Sequence, residues 1–123
     1  MNKVDVHFAK RCRLTEANDF ASVFKAASYK RRVGLFSFYA RRNEQSYSRL
    51  GMNIAKKNIR SAVTRNQIKR LIRESFRLNQ GELVGLDIVV AANRFQKEID
   101  KIEIRKCLDD QWKKIQSHFF NGF

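Results

Sequence analysis

Residues 56–77 read KKNIRSAVTRNQIKRLIRESFR, and this stretch alone joins dense positive charge to a strong helical period. Ile68, Leu71, Ile72 and Phe76 recur at i, i+3, i+4 and i+8, the spacing of a stripe that faces a core. Asn66, Lys69, Arg70, Arg73 and Arg77 form a second stripe, and at about 100° per residue the two point in nearly opposite directions. The pattern predicts a helix running to about Asn79, held on one side and cationic on the other. A solvated helix face is the plain alternative, but such faces mix signs, and here only Glu74 dilutes the run. Its basic groups repel one another along the rod, a cost that a polyphosphate backbone would remove.

The rest of the composition agrees. A chain of 123 residues, 43% hydrophobic, is sized for one domain with a modest core. Its formal net charge of +14 points to nucleic acid or an anionic surface. All of that excess lies in residues 1–79, whereas residues 80–123 carry seven bases and seven acids. Cys12 and Cys107 form no CxxC pair, so neither a disulfide framework nor a zinc site is indicated. No apolar run approaches a membrane span and no signal-peptide region opens the chain, which predicts a cytoplasmic protein with reduced thiols.

Along the chain, residues 1–13 read as a basic, loosely held arm. Thr15 as N-cap and Glu16 in the first turn predict a helix to about Ala27, with Phe20, Val23, Phe24 and Ala27 on one face. Residues 29–32 read as a basic connector and residues 33–40 as a strand. After a polar turn, Leu50, Met52 and Ile54 alternate with Arg49, Gly51 and Asn53, a second strand expected to pair antiparallel with the first. Gly81 and Gly85 interrupt the pattern once the basic helix has ended. Residues 86–92, LDIVVAA, read as a buried strand, and Ile104, Leu108, Trp112, Ile115 and Phe119 as the stripe of a final helix. The expected class is α+β, helices on a small mixed sheet in the order α-β-β-α-β-α.

Arg65-Asn66-Gln67-Ile68-Lys69-Arg70-Leu71-Ile72-Arg73-Glu74, preceded by Lys56-Lys57 and Ala62-Val63, resembles the signature of the bacterial ribonuclease P protein subunit. Arg13-Leu14, Asp19-Phe20 and Val23-Phe24 resemble the opening helix of that family. The resemblance covers residues 13–92 and fades over the last helix. It implies a ribonuclease P protein-like fold with a left-handed crossover through the basic helix. It also implies two partners, the catalytic RNA subunit, taken one to one, and precursor tRNA, whose 5′ leader the enzyme removes. Arg60, Arg65, Asn66, Lys69, Arg70, Arg73 and Arg77 would meet the RNA subunit. Arg13, Phe20, Phe24, Tyr39, Lys56 and Lys57 would hold the leader, stacking on bases without regard to sequence. Mg²⁺ would be used by the RNA, with no metal ligands and no catalytic residues assigned to this chain.

The residues themselves show no catalytic set. Carboxylates that could hold paired Mg²⁺ ions are not gathered, and His7 and His118 lie at opposite ends. A ribosomal-type RNA-binding protein using the same helix is the main alternative. A DNA reader is disfavoured because Lys and Arg at every exposed position suit phosphates better than base edges. A self-sufficient nuclease would have to cut RNA unaided.

Overall fold

The computed structural model describes residues 12–15 and 17–120. Its elements are β1 (Arg13–Leu14), α1 (Ala17–Ala26), β2 (Tyr29–Val33), β3 (Phe36–Arg42), β4 (Arg49–Asn53), α2 (Ala62–Asn79), a 3₁₀ turn (Gln80–Glu82), β5 (Leu86–Ala92) and α3 (Lys101–Phe120). The class is the expected α+β, but the described residues form five strands where the sequence pattern predicts three. Residues 1–11 of the predicted arm, and Glu16, lie outside the described residues. The arm ends in order, however: Cys12 is buried and Arg13 belongs to β1.

The sheet order is β1-β4-β5-β3-β2. β5 sits in the middle, parallel to β4 through Leu50↔Ile88 and Met52↔Val90, and antiparallel to β3 through Phe38↔Val90 and Ala40↔Ile88. The expected β3–β4 hairpin is therefore corrected, because β5 lies between the two strands. Its run LDIVVAA has the apolar character of a strand covered on both faces, so the interior of the sheet is where it gains most from burial. The connector over residues 29–32 is also corrected. Those residues form most of β2, which turns through Gly34 and Leu35 into β3. Gly34 has φ of +56° and Leu35 does not have positive φ, as a two-residue type II′ hairpin turn requires. An isolated Gly within a strand pattern is the sequence signal for that turn.

Strand alternation then sorts the layers. Phe36, Phe38, Ala40, Leu50, Ile88, Val90 and Ala92 face α2 and α3, whose Ile68, Ile72, Phe76, Leu108, Trp112 and Ile115 complete the main core. Trp112 is 1% exposed and its Nε1 donates to Ser75 Oγ at 2.7 Å, so it is core and not a surface platform. The opposite face carries α1 over a smaller cluster of Leu14, Val23 and Val89.

At the start of β4 and β5, one carboxylate binds three neighbours. Asp87 is fully buried; it accepts from Arg49 Nε and Nη2 at 2.7 Å each, from Asn43 Nδ2 at 2.9 Å and from Arg41 Nη2 at 3.2 Å. Burial by itself would raise the acid's pKa, but the bonds from Arg49, Asn43 and Arg41 outweigh it and hold the carboxyl below its ordinary value. A depressed folded pKa means the stabilisation is present above the unfolded value, about 4, and is lost as pH falls through the folded one. Asp87→Asn should cost about 3 kcal/mol in urea denaturation at neutral pH, since it strands two guanidinium groups only about a quarter exposed. The variant should also lose less stability than the parent on acidification below about pH 4. Equal acid sensitivity in the two proteins would refute that role for Asp87.

Candidate nucleic-acid interface

The cationic helix is fixed first at its N-terminus. Ser61 Oγ accepts from Thr64 N at 3.2 Å, an N-cap that satisfies one of the otherwise unpaired amides of the first turn. Arg65 Nη1 reaches back to donate to the carbonyls of Ile59 and Arg60 at 2.8 Å each, and Asn58 Nδ2 donates to Ala92 O at 2.9 Å. The entry to α2 is thereby locked to the end of β5. Ile68, Leu71, Ile72 and Phe76 are all buried, as their spacing predicted.

With that face held, the basic stripe divides. Arg60, Asn66 and Arg70 are exposed, whereas Lys69 and Arg73 are half-buried along a groove they share with Arg13, Leu14, Thr15, Phe20, Leu50 and Met52. The single outward row expected from the sequence is therefore two flanks of one helix. The side chains of Arg60, Lys69, Arg70 and Arg73 make no hydrogen bond or ion pair among the described residues. Arg77 pairs with Glu74, and part of the Arg65 guanidinium is engaged by the two carbonyls, so both are less available than the sequence alone implied.

One wall of the groove, Leu14 and Phe20, belongs to the other sheet face. Phe20, Phe24 and Tyr39 are half-buried against Leu14, Val23 and Val89, and Phe24 meets Tyr39 edge to face at 4.8 Å between centroids. Such rings are anchored on one side and open on the other. Phe20 can lie on the sheet only because Gly51 has no side chain: a Cβ there would stand 2.4 Å from Phe20 Cε1 and 3.0 Å from Leu14 Cβ. Sequence reading passed over Gly51 as one polar step of an alternating strand, although a glycine inside a strand is itself a sign of close approach. Lys56 and Lys57 are exposed just beyond β4, in a turn where Asn58 N and Ile59 N both donate to Ala55 O.

The family model for ribonuclease P matches residues 8–116. The chain belongs to the ribonuclease P protein family. It is 39% identical over 112 residues to the ribonuclease P protein component of Chromohalobacter salexigens, covering 91% of this chain and 88% of that protein. With the Acinetobacter baylyi protein of the same description, identity is 42% over 109 residues, 89% of this chain and 83% of the other. Among solved structures, the Staphylococcus aureus RNase P protein superposes with a TM-score of 0.74 at 31% identity, covering 85% of this chain and 94% of that one. The Thermotoga maritima protein gives 0.70 at 33% identity, with coverages of 84% and 96%. This chain is accordingly a ribonuclease P protein component, with a role in tRNA processing.

The acids of this ribonuclease P protein are dispersed through the described residues. Among them, no group of three or more His, Cys, Asp or Glu side chains is placed to hold a metal. Asp87 is occupied by arginines, Glu74 by Arg77, Asp110 by Lys114 and Asp109 by Ser75. His118 Nε2 shares a hydrogen bond with Ser28 Oγ at 3.2 Å, while His7 is outside the described residues. Cys107 is a free thiol whose pKa burial pushes up, which opposes nucleophilic use. No described helix is long and apolar enough to cross a membrane.

The Gly51 contact is open to a double-mutant cycle. Gly51→Ala should cost about 1 to 3 kcal/mol as the Phe20 ring is displaced, and the cost should shrink markedly in a Phe20→Ala background. Equal costs in both backgrounds, measured by urea denaturation, would show that Gly51 does not seat the ring.

Proposed function

We propose that this ribonuclease P protein docks on the RNA subunit of the enzyme and holds the 5′ leader of precursor tRNA while the RNA hydrolyses the leader junction. The observation that carries the proposal is the groove in which the open face of Phe20 lies among Arg13, Lys69 and Arg73, beside an exposed flank bearing Arg60, Asn66 and Arg70. Aromatic rings with flanking cations suit a single strand, stacking its bases and neutralising its phosphates. The outer flank suits a folded RNA, where Arg bridges phosphate oxygens through its planar fork. Phe24 and Tyr39 extend the aromatic floor, and Lys56 and Lys57 border it. Arg65 and Arg77 retain donors toward the RNA but are partly engaged within the protein. Lys69 and Arg73, assigned to the RNA subunit from sequence, are better placed to touch leader and RNA subunit together.

On this basis the protein acts as an accessory subunit, one per RNA. Mg²⁺ would serve the RNA, supplying Lewis-acid chemistry at the scissile phosphate. The protein's own residues bind, orient and neutralise. A cytoplasmic setting follows from the substrate and from free thiols in place of a disulfide.

Arg70→Ala should weaken assembly with the RNA subunit and lower the slope of log K against log salt by about one unit. Unchanged assembly at moderate salt would overturn the docking flank. Phe20→Ala, with folding checked by circular dichroism, should leave assembly intact while reducing preference for precursor over mature tRNA by roughly 1 to 3 kcal/mol. An unchanged preference in a folded variant would remove Phe20 from the leader site.

A further inference from the structure

Two cations that the leader groove does not use stand on the same face of the sheet, at its far edge. β2 is an edge strand, and its register pairs Lys30 with Tyr39 and Arg32 with Ser37. Paired residues of neighbouring strands share a face, so Lys30 and Arg32 project on the side that carries α1 and Tyr39. Arg31, between them, projects to the other side, where it shares a pocket with Lys113 and Lys114. Both Lys30 and Arg32 are exposed, and neither side chain makes an ion pair or hydrogen bond among the described residues.

Two cross-strand rows lie on this face between β4 and β2, the first covered by α1 and the second beside it. Gly51, Val89 and Tyr39 lie in one cross-strand row beneath α1, and Asn53, Ala91 and Ser37 form the next row. That second row is polar or small: Asn53 is exposed, and Ser37 Oγ donates to Asn93 Oδ1 at 2.7 Å. It runs from the turn carrying Lys56 and Lys57 straight to Arg32. From β4, where Phe20 rests, to β2 is three strand spacings, about 14 Å. At about 3.4 Å per stacked nucleotide, that distance is about four nucleotides.

The geometry points to Lys30 and Arg32 as a distal phosphate site for the leader, reached about four nucleotides beyond the base on Phe20. The site makes the protein's grip depend on leader length: short leaders end on the aromatic floor, and longer ones cross to the β2 edge. It rests on the proposal that the leader occupies this face. Charges on an edge strand can also serve to block strand pairing between molecules, a role that self-association of a neutralised variant would reveal.

The reconstituted holoenzyme, with the full-length chain carrying Lys30→Gln and Arg32→Gln together, is to be titrated with precursor tRNAs bearing leaders of about three and about twelve nucleotides. Expected is a loss of about 3- to 10-fold in affinity for the long leader only, with the salt slope for that substrate falling by about 1.4. Arg32→Lys should retain the preference for the long leader. Equal losses for both substrates would overturn the site in favour of general charge. Unchanged affinity for both, with Phe20→Ala still reducing precursor preference, would overturn the distal site and leave the leader groove standing. If Phe20→Ala also had no effect, the groove itself would fail. Unchanged affinity with new self-association of the double variant would assign the two charges to edge protection and overturn the proposal.

Discussion

The parallel pairing of β4 with β5 is the constraint on which the rest depends. Two adjacent parallel strands cannot be joined by a tight turn, so the chain must leave the sheet and return. The 18-residue α2 is that crossover. Because its apolar stripe has to cover the face made by Leu50, Ile88 and Val90, its polar side is left pointing away from the core. The cationic character of the exposed surface is thus a consequence of how the crossover packs. Anchors at the helix entrance, from the Ser61 cap and the Asn58 contact with β5, fix where along the sheet those cations stand.

Electrostatic repulsion sets the second condition. A net charge of +14 on so small a chain favours expansion, and the fold accommodates it unevenly. Arg41 and Arg49 are drawn onto the buried Asp87, and Arg77 onto Glu74. The side chains of Arg60, Lys69, Arg70, Arg73, Lys30 and Arg32 have no such partner among the described residues. Arg41 and Arg49 brace the sheet, while Lys69 and Arg73 line the groove, Arg60 and Arg70 stand on the outer side of α2 and its entrance, and Lys30 and Arg32 stand on the β2 edge. The same separation leaves the carboxylates of Glu74, Asp87, Asp109 and Asp110 paired within the fold.

On the proposed reading, half-burial joins stability to function at the aromatic floor. Phe20, Phe24 and Tyr39 close a small core with Leu14, Val23 and Val89, and each retains an outward surface. Rings held in this way are pre-oriented, so a base that stacks on them need not immobilise a flexible side chain. Gly51 permits the arrangement by leaving the space that Phe20 fills.

The sequence by itself determined the fold class, the end and buried face of α2, the buried apolar strand β5, the core stripe of α3 and the polyanionic nature of the partner. Each follows from a local period or from summed charge, and both are properties of a linear string. The central place of β5 was decided only by the tertiary structure, because it separates two strands that short-range reasoning had joined. So was the division of the basic stripe: Lys69 and Arg73 meet Phe20 and Arg13 across a groove between elements that sequence spacing cannot bring together. Gly51 and Asp87 were silent for the same reason. A missing side chain or a lone acid acquires meaning only from the ring or guanidinium groups that folding places against it.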